Sequence, residues 1–171
     1  MNDQILIRPI EETDFSAYRE LRLEALRGHP EAFGSDHDEQ AADPELAWNR
    51  MRSSIEGTQS RIFLADAGGE LVGIVAVFRE SGVKVRHSAN VVSVYVRPAW
   101  RGRRLAELMI RQAIEWCGEV GVRIVRLCVT AGNEAAIACY LRCGFMECGV
   151  QREVIRVGEV YYDEVVMWRR V

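Results

Sequence analysis

Lysine is almost missing from this sequence: Lys84 stands alone, and the other 21 of the 22 basic residues are arginine. Against 25 acidic residues this leaves a formal net charge of −3, which gives no general pull toward nucleic acid or an anionic membrane surface. No apolar run approaches the roughly 20 residues needed to cross a bilayer. The longest, Leu71 to Phe78, has the length of a strand. The N-terminal stretch has no basic region leading into an apolar core and does not read as a signal peptide. The five cysteines make no CxxC pair and the three histidines are scattered, so free thiols and no metal site are expected. A soluble protein of a reducing, cytoplasmic compartment follows as an expectation. Neither a GxxxxGK[ST] loop nor a GxGxxG turn is present, which disfavours a generic nucleotide-binding protein. Repeats, low-complexity tracts and linkers are also missing, so residues 1–171 are expected to form a single domain.

What is present is patterned for a mixed fold. A chain 49% hydrophobic and 27% charged can bury an ordinary core without disulfides or metal. Ile5 to Ile10 alternates as a short strand, and Thr13 or Asp14 can cap a helix ending near Arg27. Glu31 to Asp43 reads as a loop before a helix from Pro44 to Ile55. Arg61 to Ala67 and Leu71 to Phe78 form a hairpin around Gly68-Gly69. His87 to Val96 is a strand whose apolar Val91–Val96 run suggests burial on both faces. A helix from Gly102 to Glu119 carries Ala106, Met109, Ile110, Ala113 and Cys117 on one stripe, with Glu107 and Arg111 paired one turn apart. Ile124 to Thr130 is a strand, and Asn133 caps a helix ending at Cys143 before Gly144. Two strands, Phe145 to Val154 and Glu159 to Trp168, close the chain. The fold class expected is α/β (α+β): a mixed, mostly antiparallel sheet with one parallel strand pair, flanked by helices.

The stretch Val96-Arg-Pro-Ala-Trp-Arg-Gly-Arg-Arg-Leu-Ala-Glu107 sets Arg101, Arg103 and Arg104 at a strand-to-helix turn. A helix N-terminus leaves backbone N–H groups without partners and carries about half a positive charge. With Gly102 allowing close backbone approach, the turn is an anion site suited to a pyrophosphate. The wider pattern resembles the GNAT superfamily of N-acetyltransferases. Val96-Arg-Pro98 matches its strand end, and Arg101-Gly-Arg-Arg-Leu-Ala106 its glycine-rich turn. Leu127-Cys-Val-Thr-Ala-Gly-Asn133, Ala136, Tyr140 and Gly144-Phe145 match the remainder at the family's spacing. One position departs: the turn's fourth residue, usually glycine in the family, is Arg104.

The resemblance implies acetyl-CoA as co-substrate, with its pyrophosphate on the amides of Arg101, Gly102, Arg103, Arg104, Leu105, Ala106 and Glu107. It also implies a pantetheine arm running along Val94, Tyr95 and Val96, with Asn133 as a further cofactor contact. In the reaction so implied an amine attacks the thioester, and backbone N–H near Tyr95 or Val96 holds the developing oxyanion. Tyr140, two helical turns after Asn133 on the same face, is a further cofactor contact and the candidate general acid for the leaving thiolate. The base is open, because the strand His87 to Tyr95 contains no carboxylate. His87, Glu24, or a water held by Ser93 and Tyr95 are the candidates, the water relay preferred. The acceptor, a small-molecule or protein amine, is implied to lie near Phe33, Trp48, Tyr161, Tyr162 and Asp163. Two alternatives stay open: a non-catalytic acyl-CoA sensor of the same fold, and a homodimer formed through the final strands.

Overall fold

A computed structural model describes residues 5–171. In chain order the elements are β1 (Ile5–Pro9), α1 (Phe15–Gly28), α2 (His37–Ala42), α3 (Pro44–Glu56), β2 (Ser60–Ala67) and β3 (Glu70–Arg79). There follow β4 (Ser88–Val96), α4 (Leu105–Glu119), β5 (Ile124–Thr130), α5 (Glu134–Arg142), β6 (Met146–Val157) and β7 (Val160–Arg170). The strands form one seven-stranded sheet ordered β1-β2-β3-β4-β5-β7-β6. Every neighbouring pair is antiparallel except β4 with β5, the mixed sheet expected from the sequence. None of the described helices is long and apolar enough to cross a membrane.

Two cores cover the two faces. The stripe Met109, Ile110, Ala113 and Cys117 of α4 packs on Val72, Val75, Val125 and Leu127, all essentially inaccessible. On the opposite face Tyr18, Leu21 and Ala25 of α1 meet Met51, Leu64, Ile74 and Tyr95. The strands between them therefore supply apolar residues to both sides.

Three local readings change. The segment read as a loop from Glu31 to Asp43 contains α2, because the Asp36 carboxylate accepts the N–H groups of Asp38 and Glu39 and caps a single turn and a half. Helix α4 starts at Leu105 rather than Gly102, since Gly102 and Arg104 both adopt positive φ, +80° and +58°. Burial of Val91–Val96 on both faces also fails: Val92 is exposed, and Ser93 sits at φ +57° in a bulge where β3 skips from Ala76 to Ile74. The extra residue reverses the strand's parity, so Val91 faces α4 while Tyr95 faces α1.

Candidate active site

Strands β4 and β5 are paired only from Ser88 to Asn90 against Ile124 to Arg126. Beyond Asn90 they diverge, and the wedge opens into a cleft of about 1520 Å³ that runs from the α4 N-terminus across the sheet to α1 and α3. Its β4 wall has no β5 partner beyond Asn90, although the Val96 carbonyl accepts from Arg101 Nε. The Arg97 N–H is bonded to the Val72 carbonyl in β3, at 2.9 Å. Alternation along an extended strand then turns the backbone groups of Val94 and Val96 into the wedge and those of Tyr95 toward β3. Of the two oxyanion donors considered, Val96 is the one whose N–H faces the cleft.

At one end of the cleft lie Gly102, Arg104, Leu105, Ala106 and Glu107. The first backbone bond across this helix start runs from the Leu108 N–H to the Arg104 carbonyl at 3.1 Å, and no side chain caps the turn. The amides from Gly102 to Glu107 are therefore open to a ligand, whereas the Arg101 N–H, also expected to face the pyrophosphate, is bonded to the Pro98 carbonyl at 3.2 Å. The αL conformation of Arg104 explains why glycine is usual there: an L-residue adopts it only at a cost of roughly 1–2 kcal/mol. The need is conformational, since a turn of opposite hand must precede the helix.

The three arginines do not act alike. Arg101 folds away from the turn, donating from Nε to the Val96 carbonyl (3.0 Å) and from an Nη to His29 Nε2 (2.9 Å). Arg103 lies 4.5 Å from the Trp100 ring centroid, a cation–π contact. Only Arg104 lines the cleft with no ion pair or hydrogen bond to its guanidinium among the described residues. The uncommitted groups at the turn are thus a single guanidinium and a row of amides. The Glu107 carboxylate is also committed, bridging Arg111 (3.0 Å) and Arg142 (3.2 Å) and tying α4 to α5. Asn133 Oδ1 accepts the Ala136 N–H at 3.2 Å, the cap read from the sequence, and the residue also lines the cleft.

Tyr140 lines the middle of the cleft. It is 6% exposed, packed edge-on against Phe145, and its phenol has no hydrogen-bond partner among the described residues. Burial raises its pKa above the ordinary tyrosine value, so at neutral pH the phenol is protonated.

The candidates for a base separate cleanly. His87 is exposed at the far end of β4 and outside the cleft. Glu24 is engaged, accepting from the Tyr95 hydroxyl at 2.9 Å and from Arg97 Nε at 2.9 Å. That bond, with burial as the larger cause, pushes the Tyr95 phenol up to about 12. The bulge takes Ser93 and Tyr95 off a common strand face, yet both still line the cleft. A carboxylate not singled out from the sequence, Glu164, does line the cleft. It lies on β7 opposite Thr130, and burial raises its pKa, partly offset by the neighbouring Cys128 thiol. The period of two carries Tyr162 and Glu164 into the cleft and turns Tyr161 and Asp163 away. Asp163 instead accepts from Arg152 at 2.6 Å and from the Glu153 N–H at 2.9 Å. Of the acceptor-side residues expected, Phe33 and Tyr162 line the cleft, whereas Trp48 packs on Phe15 in the second core.

An open parallel wedge beside an uncapped helix start is the arrangement that the family pattern implied. Residues 17–145 match the model of the acetyltransferase (GNAT) family. The chain belongs to that family. An uncharacterised N-acetyltransferase of Methanocaldococcus jannaschii is 29% identical over 154 residues, 88% of this chain and 62% of its own length. This chain therefore spans less than two thirds of that relative. A GNAT-family acetyltransferase of Streptococcus pneumoniae superposes with a TM-score of 0.86 at 24% identity, over 98% of this chain and 99% of the other. A putative acetyltransferase of Salmonella typhimurium, solved with its cofactor acetyl-CoA, superposes with a TM-score of 0.82 at 18% identity, over 98% and 94%.

Proposed function

We propose that this GNAT-family protein, read as one domain over residues 1–171, transfers the acetyl group of acetyl-CoA to a primary amine by direct attack within a ternary complex. The observation that carries the reading is the wedge itself. It combines a β4 edge with no β5 partner, an uncapped helix start and an unpartnered buried phenol, all on one cleft.

The residues fit the co-substrate. Amides from Gly102 to Glu107, with the Arg104 guanidinium, suit a pyrophosphate. The outward backbone groups of Val94 and Val96 suit an extended amide-containing arm, which would pair with them as a strand does. Bound there, acetyl-CoA supplies an activated acetyl thioester. The protein's part is then to hold and move charge. The Val96 N–H faces the oxygen on which negative charge grows. Glu164 accepts the proton that the acceptor amine must lose, and Tyr140 gives one to the departing thiolate. Each resets against solvent, so protons balance over a cycle. All five cysteines are free thiols, which suits a reducing compartment. The exposed edge strand β6, carrying Met146, Val150 and Val154, is the surface along which a second copy would pair.

The test is thiol release from acetyl-CoA with a panel of amines. Tyr140→Phe should lower kcat by about a hundredfold or more, the usual scale of acid–base catalysis, while leaving acetyl-CoA affinity intact. Because Glu164 must be ionised to act, the acid limb of kcat/KM should lie above the ordinary carboxylate range, and Glu164→Gln should abolish it. Tight acetyl-CoA binding with no amine-dependent release would leave the sensor reading in place of the enzyme.

A further inference from the structure

On the acceptor side of the cleft one side chain has no partner for its charge among the described residues. Arg22, on α1, is 7% exposed and lines the cleft, yet it forms no ion pair, and its Nη1 is buried with no hydrogen-bond partner among the described residues. The Phe33 ring lies 5.1 Å from its guanidinium carbon. A cation–π contact of this kind uses the face of the cation and takes up none of its N–H donors. Buried arginines are ordinarily paired, because an uncompensated charge in a low-dielectric site is costly.

The surroundings intensify the imbalance. Arg50 lines the same region, and its charge acts on Arg22 in the same unfavourable sense as burial does. Tyr18, equally buried, adds a neutral hydroxyl to the cleft wall. The cleft's other acids are occupied or elsewhere: Glu31 faces His29 at 3.5 Å, Glu107 bridges two arginines, and Glu164 sits by Cys128 on β7. No described carboxylate reaches Arg22.

We infer that Arg22, oriented by Phe33, is the binding group for a carboxylate carried by the acceptor. The substrate class is thus an amine that bears a free carboxylate, as amino acids and related amino-carboxylates do. A guanidinium fork matches a carboxylate with two parallel hydrogen bonds, and a water-poor wall strengthens both. The opposite sign at Glu164 leaves the amine end of such a molecule at the wedge, so that one zwitterion meets a cation at one end and an anion at the other. This assignment deepens the acetyltransferase reading and rests on it for the word acceptor.

The experiment compares amino-carboxylates with the matching amino-amides, in the same thiol-release assay and in calorimetry without acetyl-CoA. The intact protein should prefer the carboxylate form by tenfold or more in kcat/KM. Arg22→Met, which replaces the cation by an apolar chain of similar length, should erase that preference while acetyl-CoA affinity stays within twofold. Arg22→Lys should restore part of it, since charge returns without the fork. Equal rates for acid and amide, or a preference that survives Arg22→Met, would overturn the inference and leave the acetyltransferase reading standing. If no amine is acetylated, carboxylate-dependent calorimetric binding that Arg22→Met removes would uphold the subsite and sink the enzyme reading instead. A rise in Tm for Arg22→Met with no change in discrimination would show a stranded structural cation, which also overturns the inference.

Discussion

The two ends of the cleft are built from different materials. The end at α4 is made of backbone: amides of Gly102 to Glu107 and the β4 edge offer the groups proposed to bind, while Arg101, Arg103 and Glu107 spend their side chains on neighbours. The end at α1 and β7 is made of side chains, with Arg22, Phe33, Tyr162 and Glu164 defining its chemistry. A backbone site tolerates almost any residue that keeps its dihedral angles. A side-chain site changes its ligand with a single substitution. The same fold can thus keep one co-substrate and vary the acceptor.

Four variants probe that division. The largest effect is expected for Gly102→Pro, which removes an amide and demands φ near −65° where the turn needs +80°. Acetyl-CoA affinity by calorimetry should fall more than tenfold. Arg101→Ala with Arg103→Ala should change it far less, and the reverse ranking would break the comparison. Thr130→Val comes next. The Thr130 hydroxyl donates to the Glu31 carbonyl at 2.8 Å and anchors the loop that carries Phe33. Losing a bond worth about 1 kcal/mol should raise the acceptor KM about fivefold and leave acetyl-CoA affinity unchanged. The smallest effect is for Arg104→Gly, which relieves an αL strain of about 1 kcal/mol and should raise Tm by about 2–4 °C. Cofactor affinity should move by no more than the loss of one exposed charge allows.

The difference in material also explains what could be read from the chain alone. Backbone requirements leave local signatures: Gly102 before a helix, Asn133 as a cap, the proline after Val96-Arg97. Those placed the cofactor end and the order of the elements. The acceptor end is assembled from residues distant in sequence, and its members look ordinary in isolation. Arg22 sits in a helix rich in arginine, so only its burial without a partner distinguishes it. Glu164 was hidden by parity, since choosing Asp163 over it selects the wrong face of β7. The bulge at Ser93 has no local marker, because a serine at φ +57° is dictated by the mismatch between β3 and β4 and by no property of serine. Helix α2 was within reach, since Asp36 with Asp38 and Glu39 after it is a recognisable start signal.

The Thr130–Glu31 bond joins residues 99 positions apart, and it has a consequence for how the molecule is assembled. The loop around Phe33 leaves the ribosome early but docks on β5, which is synthesised much later. Closing so long a loop is slow relative to hairpins such as β2–β3. The acceptor pocket is therefore expected to be completed late in folding, after the early hairpin. In the native state the reverse order applies: brief opening of this loop should expose its amides to hydrogen exchange at lower cost than those of β3 and α4. The end of the cleft proposed to choose the substrate is then also the part expected to breathe.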